Sequence, residues 1–134
     1  MNALKRLAQA IEQNESFLIT AHVNMDGDAL GSSAALALAL INMGKRCFFK
    51  GEGAFPGQLS DISGIRRLLE LPELEEYDAA IAVDCADIGR LGIYAPLFSA
   101  ARLKLVIDHH VTNQGFGDIN YIKSCPATAQ CVYE

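Results

Sequence analysis

Short, near-continuous apolar runs separated by helix-length segments constrain this chain more than any other feature. Residues 16–21 (SFLITA), 79–84 (AAIAVD) and 103–107 (LKLVI) show little polar–apolar alternation. Strands with that pattern are covered on both faces, the usual condition of a parallel sheet. A further strand is expected over 46–50. The segments between them read as helices. In residues 3–13, Leu4, Leu7, Ala8 and Ile11 share one helical face. Residues 29–43 are uncharged and rich in Ala and Leu, and Gly44 closes them as a C-cap. Pro56 and Gly57 interrupt the chain before a third helix, expected over Asp61–Leu71 with an Asp or Ser cap. This alternation predicts an α/β fold, with one open, mostly parallel sheet and helices on both faces.

At 134 residues and 51% hydrophobic, the chain supports one domain. Its net charge of −5 argues against coating long DNA or RNA by charge alone. Residues 51–80 hold seven acidic and two basic side chains and read as a solvated outer surface. No apolar run is long enough to predict a membrane span, and no signal-peptide core follows Met1. Cys47, Cys85, Cys125 and Cys131 form no Cys-x-x-Cys unit. They are expected to be reduced and mostly buried, which favours the cytoplasm. Residues 126–134 read as the opening of a helix without a stop signal, so the chain is expected to be part of a longer one.

Chemistry concentrates where the apolar runs end. After the first come His22-Val23-Asn24-Met25-Asp26-Gly27-Asp28; after the second, Asp84; after the third, Asp108-His109-His110. Open α/β sheets place their sites at the carboxyl ends of strands, so three strands deliver carboxylates and imidazoles to one edge. Unpaired, so many carboxylates repel one another, and divalent cations resolve the repulsion. Oxygen-rich ligation with added imidazole suits manganese, with magnesium or zinc as alternatives, in a two-metal centre.

In these motifs the chain resembles the DHH phosphoesterase family, which shares His-x-x-x-Asp-x-Asp, a middle-strand Asp and Asp-His-His. The match continues through Asp87-Ile88-Gly89-Arg90-Leu91-Gly92, His110-Val111-Thr112-Asn113, Phe116-Gly117-Asp118-Ile119-Asn120 and Pro126-Ala127-Thr128-Ala129. The resemblance is strongest to the subgroup that degrades very short oligoribonucleotides and dephosphorylates adenosine 3′,5′-bisphosphate. It implies a Rossmann-like DHH domain of which residues 1–134 form the N-terminal portion, with a substrate-binding domain beyond. Met25 stands where the subgroup often has proline, a change expected to alter loop stiffness more than ligation.

The resemblance implies that His22, Asp26 and Asp84 bind one ion and that Asp28, Asp84 and His109 bind the other. Asp84 and His110 are the expected catalytic residues, with His110 on the substrate phosphate. Asp108, Asp87 and Asn113 are expected to support the ligands from behind, and Arg90 and Ser32 to meet substrate. Asp87 and Arg90 could equally pair with each other on a turn. Hydrolysis would use water activated between two ions, on short RNA or a small nucleotide. Geometry of this kind would equally serve inorganic pyrophosphate or a cyclic dinucleotide, and a non-catalytic metal- or nucleotide-binding role also stays open. Long double-stranded nucleic acid and membranes are not expected partners. A homodimer is left open.

Overall fold

A computed structural model describes the backbone of residues 1–134 and every side chain except those of Ser60 and Ser63. Five strands form one sheet: β1 (Ser16–Ala21), β2 (Arg46–Phe49), β3 (Ala79–Val83), β4 (Leu103–Asp108) and β5 (Ile119–Ile122). Their order is β2-β1-β3-β4-β5, and every neighbouring pair is parallel. β1 and β3 are buried along their whole length, as their unbroken apolar character requires.

The helices are α1 (Ala3–Gln13), α2 (Gly27–Asn42), α3 (Gly57–Ser60), α4 (Ser63–Leu69), α5 (Ala95–Ala100) and α6 (Thr128–Tyr133). On one face Leu7 and Ala10 of α1, the Ala/Leu face of α2, Ile65 and Leu68 of α4, and Cys131 of α6 pack over Phe17, Ile19, Ile81 and Leu105. On the other, a 3-10 segment (Ile88–Tyr94) and α5 set Leu91 and Phe98 against Leu18, Ala80, Ala82 and Val106. Asn2 caps α1 by accepting the Lys5 amide at 2.9 Å, and α2 ends before Gly44, whose φ is 82°. Among the described residues no helix is long and apolar enough to cross a membrane.

Two expectations need correction. The helix expected over 61–71 is present but shorter, as α4, and a separate four-residue helix, α3, precedes it. Ile62, at the cap position of α4, has ψ 120° and offers no side-chain acceptor, while Asp61 pairs with Arg66 at 2.9 Å instead of capping. β5 has no counterpart among the strands the sequence pattern predicts. It is a four-residue edge strand, and Ile119 is its one buried residue, the other three being half-buried.

β1 has β2 on one side and β3 on the other, so the strand order reverses direction between β1 and β3. A crevice at the carboxyl ends of these two strands is where such sheets place their sites.

Candidate metal centre

The chain leaves β1 at Ala21 and reaches Asp26, which caps α2 by accepting the Ala29 amide at 2.9 Å. His22 Nδ1 lies 2.8 Å from the carbonyl oxygen of Val23. A carbonyl only accepts, so Nδ1 carries a proton and the neutral ring keeps its lone pair on Nε2. That nitrogen faces Asp26 Oδ1 and Asp84 Oδ2, each at 3.7 Å. Met25 is not a mere loop residue. Its side chain is buried in the core and fills the space beside Gly51, which anchors the turn between His22 and Asp26.

Asp84 follows β3 and sits between the other two strand ends. Its φ of 55° lies in the left-handed region, uncommon without a glycine and a recurrent feature of functional positions. Its side chain is buried, and the hydroxyl of Thr128 donates to Oδ1 at 2.7 Å. Burial raises the Asp84 carboxyl above the usual range; the Thr128 hydrogen bond works against this, and nearby Asp28 and Asp26 add to it.

His109, just past β4, repeats the arrangement of His22. Its Nδ1 meets the carbonyl of Cys125 at 2.9 Å, leaving Nε2 3.4 Å from Asp84 Oδ1 and 3.7 Å from Asp28 Oδ2. The Cys125 carbonyl is the main reason its pKa is raised, and Asp84 and Asp28 raise it further. Asp28 accepts the amides of Thr128 at 2.9 Å and Ala129 at 3.1 Å. Asp108 is fully buried, and both its oxygens are occupied. One takes His110 Nδ1 at 2.6 Å and the other Asn113 Nδ2 at 2.8 Å. Asn113 also donates to the Cys85 carbonyl at 3.1 Å and accepts from Gly115, which ties the loop after His110 to the end of β3.

Two groups of donor atoms result: His22, Asp26 and Asp84; and Asp84, His109 and His110. Within each, all donor atoms lie within 4.8 Å of one another. Ligands about 2.0–2.2 Å from one ion lie about 3.0–3.6 Å apart. The 3.4–3.7 Å separations of the imidazole Nε2 atoms from Asp26, Asp28 and Asp84 are close to that range and too long for hydrogen bonds. Lone pairs aimed at carboxylates at this distance fit a cation between them, and Asp84 belongs to both groups.

Residues 16–134 match the model of the DHH family, N-terminal domain. The chain belongs to the DHH family. It is 33% identical over 125 residues to the bifunctional oligoribonuclease and PAP phosphatase NrnA of Thermus thermophilus, covering 85% of this chain and 34% of that protein. The chain thus spans about a third of the length of this curated relative. Among solved structures, an exopolyphosphatase-related protein from Bacteroides fragilis superposes with a TM-score of 0.84 at 23% identity, over 98% of this chain and 42% of that one. RecJ from Thermus thermophilus, solved in complex with Mn2+, gives 0.54 at 19% identity, over 98% of this chain and 19% of its own. At these identities the two structures share the DHH fold with this chain.

Against the DHH pattern, the structure brings His22, Asp26, Asp28, Asp84, His109 and His110 to one crevice, with Asp108 and Asn113 behind them. It does not bring Ser32 or Asp87 there in the expected roles. Ser32 is buried and its hydroxyl donates to the Asp28 and Ala29 carbonyls of its own helix, so it presents nothing to a phosphate. Of the two readings for Asp87, the structure shows the turn with Arg90: the carboxylate caps the 3-10 segment by accepting the Arg90 amide at 3.3 Å. Arg90 is exposed, and its carbonyl takes the Val23 amide at 2.7 Å, joining that segment to the His22 loop. Cys85 is inert filler, as expected: buried, hydrogen-bonded to the Asp87 carbonyl, and pushed up to about 12 by burial. Phe116 packs on Phe98 with ring centroids 5.5 Å apart. Sequence reasoning misses Thr128 and the Cys125 carbonyl. Their only signal is the Pro126-Ala127-Thr128-Ala129 motif, which assigns no role to either.

Proposed function

We propose that this chain forms the metal-holding part of a DHH phosphoesterase that hydrolyses short oligoribonucleotides or adenosine 3′,5′-bisphosphate. The observation that carries the reading is Asp84, a buried carboxylate common to both donor groups at the sheet's switch point. The oligoribonuclease and PAP phosphatase activities of the Thermus relative support the substrate class, and the Mn2+ of RecJ supports manganese.

His22, Asp26 and Asp84 would hold one ion; at the other, Asp28, whose Oδ2 lies 3.7 Å from His109 Nε2, would join Asp84 and His109, leaving His110 of that donor group, tied by Nδ1 to Asp108, to the substrate. Bound there, divalent ions supply positive charge to phosphate oxygens and lower the pKa of water. The protein's own groups set the geometry. The Val23 and Cys125 carbonyls hold the two ligand imidazoles by Nδ1, fixing which nitrogen faces the carboxylates. Buried Asp108 holds His110 in the same way, leaving His110 Nε2 for a phosphate oxygen of the substrate. Arg90, exposed beside the His22 loop, adds a cation for a second phosphate. Selection among nucleotides is proposed to lie in the part of such relatives that this chain does not span.

The test is hydrolysis of a labelled RNA dinucleotide and of adenosine 3′,5′-bisphosphate by the full-length protein carrying this chain. Inorganic pyrophosphate and a cyclic dinucleotide serve as competing substrates. Manganese should restore turnover after chelation, and Asp84→Asn should abolish it. Preference for pyrophosphate would move the substrate assignment, and full activity of metal-free Asp84→Asn protein would sink the mechanism.

A further inference from the structure

Two of the four cysteines stand outside the ligand set yet touch it through the backbone. Cys125 is half-buried in the loop before α6, Cys131 is buried within α6, and their sulfurs lie 3.3 Å apart. Neither is held away from the other: Cys125 Sγ donates to the Ala127 carbonyl at 3.2 Å, and Cys131 Sγ lies 3.9 Å from the Asp108 carbonyl. The segment they bracket holds the centre together. It carries the Cys125 carbonyl on His109, the Thr128 hydroxyl on Asp84, and the Thr128 and Ala129 amides on Asp28.

We propose that Cys125 is a site of thiol oxidation, that Cys131 resolves it into a reversible disulfide, and that this disulfide weakens divalent-ion binding at the centre. The coupling to metal rests on the reading of the preceding subsection; the disulfide itself does not. The half-buried Cys125 thiol attacks a low-molecular-weight disulfide RSSR, forming Cys125–S–SR and releasing one RSH. Burial pushes the Cys131 thiol up to about 12, as it does Cys85, but Cys131 lies 3.3 Å from its target, and that proximity lets its thiolate attack the Cys125 sulfur of the mixed disulfide and release the second RSH. Two protein thiols lose two electrons in total, one external disulfide gains them, and both thiol protons leave on the RSH products. A disulfide bond is about 2.05 Å long, so the sulfurs must close by about 1.2 Å. The closure draws on the segment between the two cysteines, which carries the groups that hold His109, Asp84 and Asp28. Loss of such orienting partners costs about 10–100-fold in metal affinity.

The 134-residue chain is oxidised with excess glutathione disulfide, cleared of it, and examined by intact mass, peptide mapping and Mn2+ titration calorimetry. The expected result is loss of two hydrogens, a Cys125–Cys131 linkage, and a Mn2+ dissociation constant raised about tenfold or more. Reductant should reverse all three. Cys125→Ser and Cys131→Ser, either of which suffices, should bind Mn2+ equally before and after oxidant. Absence of the linkage overturns the proposal, as does a linked protein that binds Mn2+ as tightly as the reduced one. A reduced chain that binds no Mn2+ overturns the metal reading and the coupling with it, while the mass shift separately decides the disulfide.

Discussion

Replacing Asp84 by asparagine should make the metal-free protein more stable than the parent and the manganese-loaded protein less stable. Asparagine keeps the shape and an acceptor for the Thr128 hydroxyl, now 2.7 Å from Asp84 Oδ1. What is lost is the charged part of that hydrogen bond, about 1 kcal/mol. What is gained is relief of a carboxylate that is only 2% exposed and repelled by Asp28 and Asp26. The relief should outweigh the loss by about 0.5–2 kcal/mol, the size of an ordinary single stabilising substitution. Unfolding entropy for 134 residues is about 0.28 kcal/mol/K, so Tm should rise by about 2–7 °C. With Mn2+ at a hundred times its Kd, the parent gains about 2.7 kcal/mol, or about 10 °C. The variant, having lost the residue common to both donor groups, gains little, and the order of the two melting curves reverses.

Thermal melts followed by circular dichroism, after chelation and then with added Mn2+, read both orders. The pH dependence supplies an independent arm. The Asp84 pKa is raised by burial, so its stabilising contribution is present below the unfolded carboxylate value and lost as pH rises through the folded one. The advantage of the variant should therefore shrink as the metal-free proteins are acidified. A metal-free variant that melts below its parent would refute the charge argument, and an undiminished Mn2+ shift in the variant would refute the shared role of Asp84.

Three further outcomes are expected. In the full-length protein, His110→Ala should lower kcat by about 10²–10⁴-fold while keeping the Mn2+-induced rise in Tm, because His110 is placed on substrate while other groups hold the ions. Asp78→Ala should destabilise the fold by about 1–2 kcal/mol at neutral pH in urea titrations, because Asp78 Oδ2 accepts the Glu15 and Ser16 amides at 3.0 and 3.1 Å at the head of β1. Those bonds lower the Asp78 pKa, led by the Glu15 amide, so the difference should fade as pH falls through its folded value. Finally, the 134-residue chain assayed beside the full-length protein in saturating Mn2+ should turn over a short oligoribonucleotide far more slowly; equal rates would show that sequence outside this chain is dispensable.

The parts of the fold and site that the sequence discloses are those whose physics is local. The unbroken apolar runs of β1 and β3 need cover on both faces, and a parallel sheet supplies it. Once the strands are parallel, His22, Asp84 and Asp108 must emerge at the same edge. α3 and β5 escape such reading because elements of only four residues lean on their neighbours rather than on their own pattern. The contacts of Thr128 and Ala129 with Asp28 span 100 and 101 residues and have no local trace. Nor does Asp84 announce its positive φ, since no glycine marks the turn.

Protons and metal ions should compete for the same nitrogen atoms. Val23 and Cys125 present carbonyls, which can only accept, so neither His22 nor His109 can turn Nδ1 away and relieve the lone pair that Nε2 aims at carboxylates. Two species satisfy that lone pair, a proton or a metal ion. For His109 the raised pKa shows the proton to be well accommodated, first through the Cys125 carbonyl and then through Asp84 and Asp28. A folded-state pKa above the unfolded one means that protonation stabilises the metal-free fold fully below the unfolded value, and that this gain is lost as pH rises through the folded value. Metal binding must expel that proton. Mn2+ affinity should therefore be nearly constant above the folded His109 pKa and fall below it, by up to about tenfold per pH unit for each proton displaced. Calorimetric titrations in buffers of different ionisation enthalpy count those protons directly. Proton release near zero at a pH where the metal-free protein holds His109 protonated would show that this imidazole does not bind the ion.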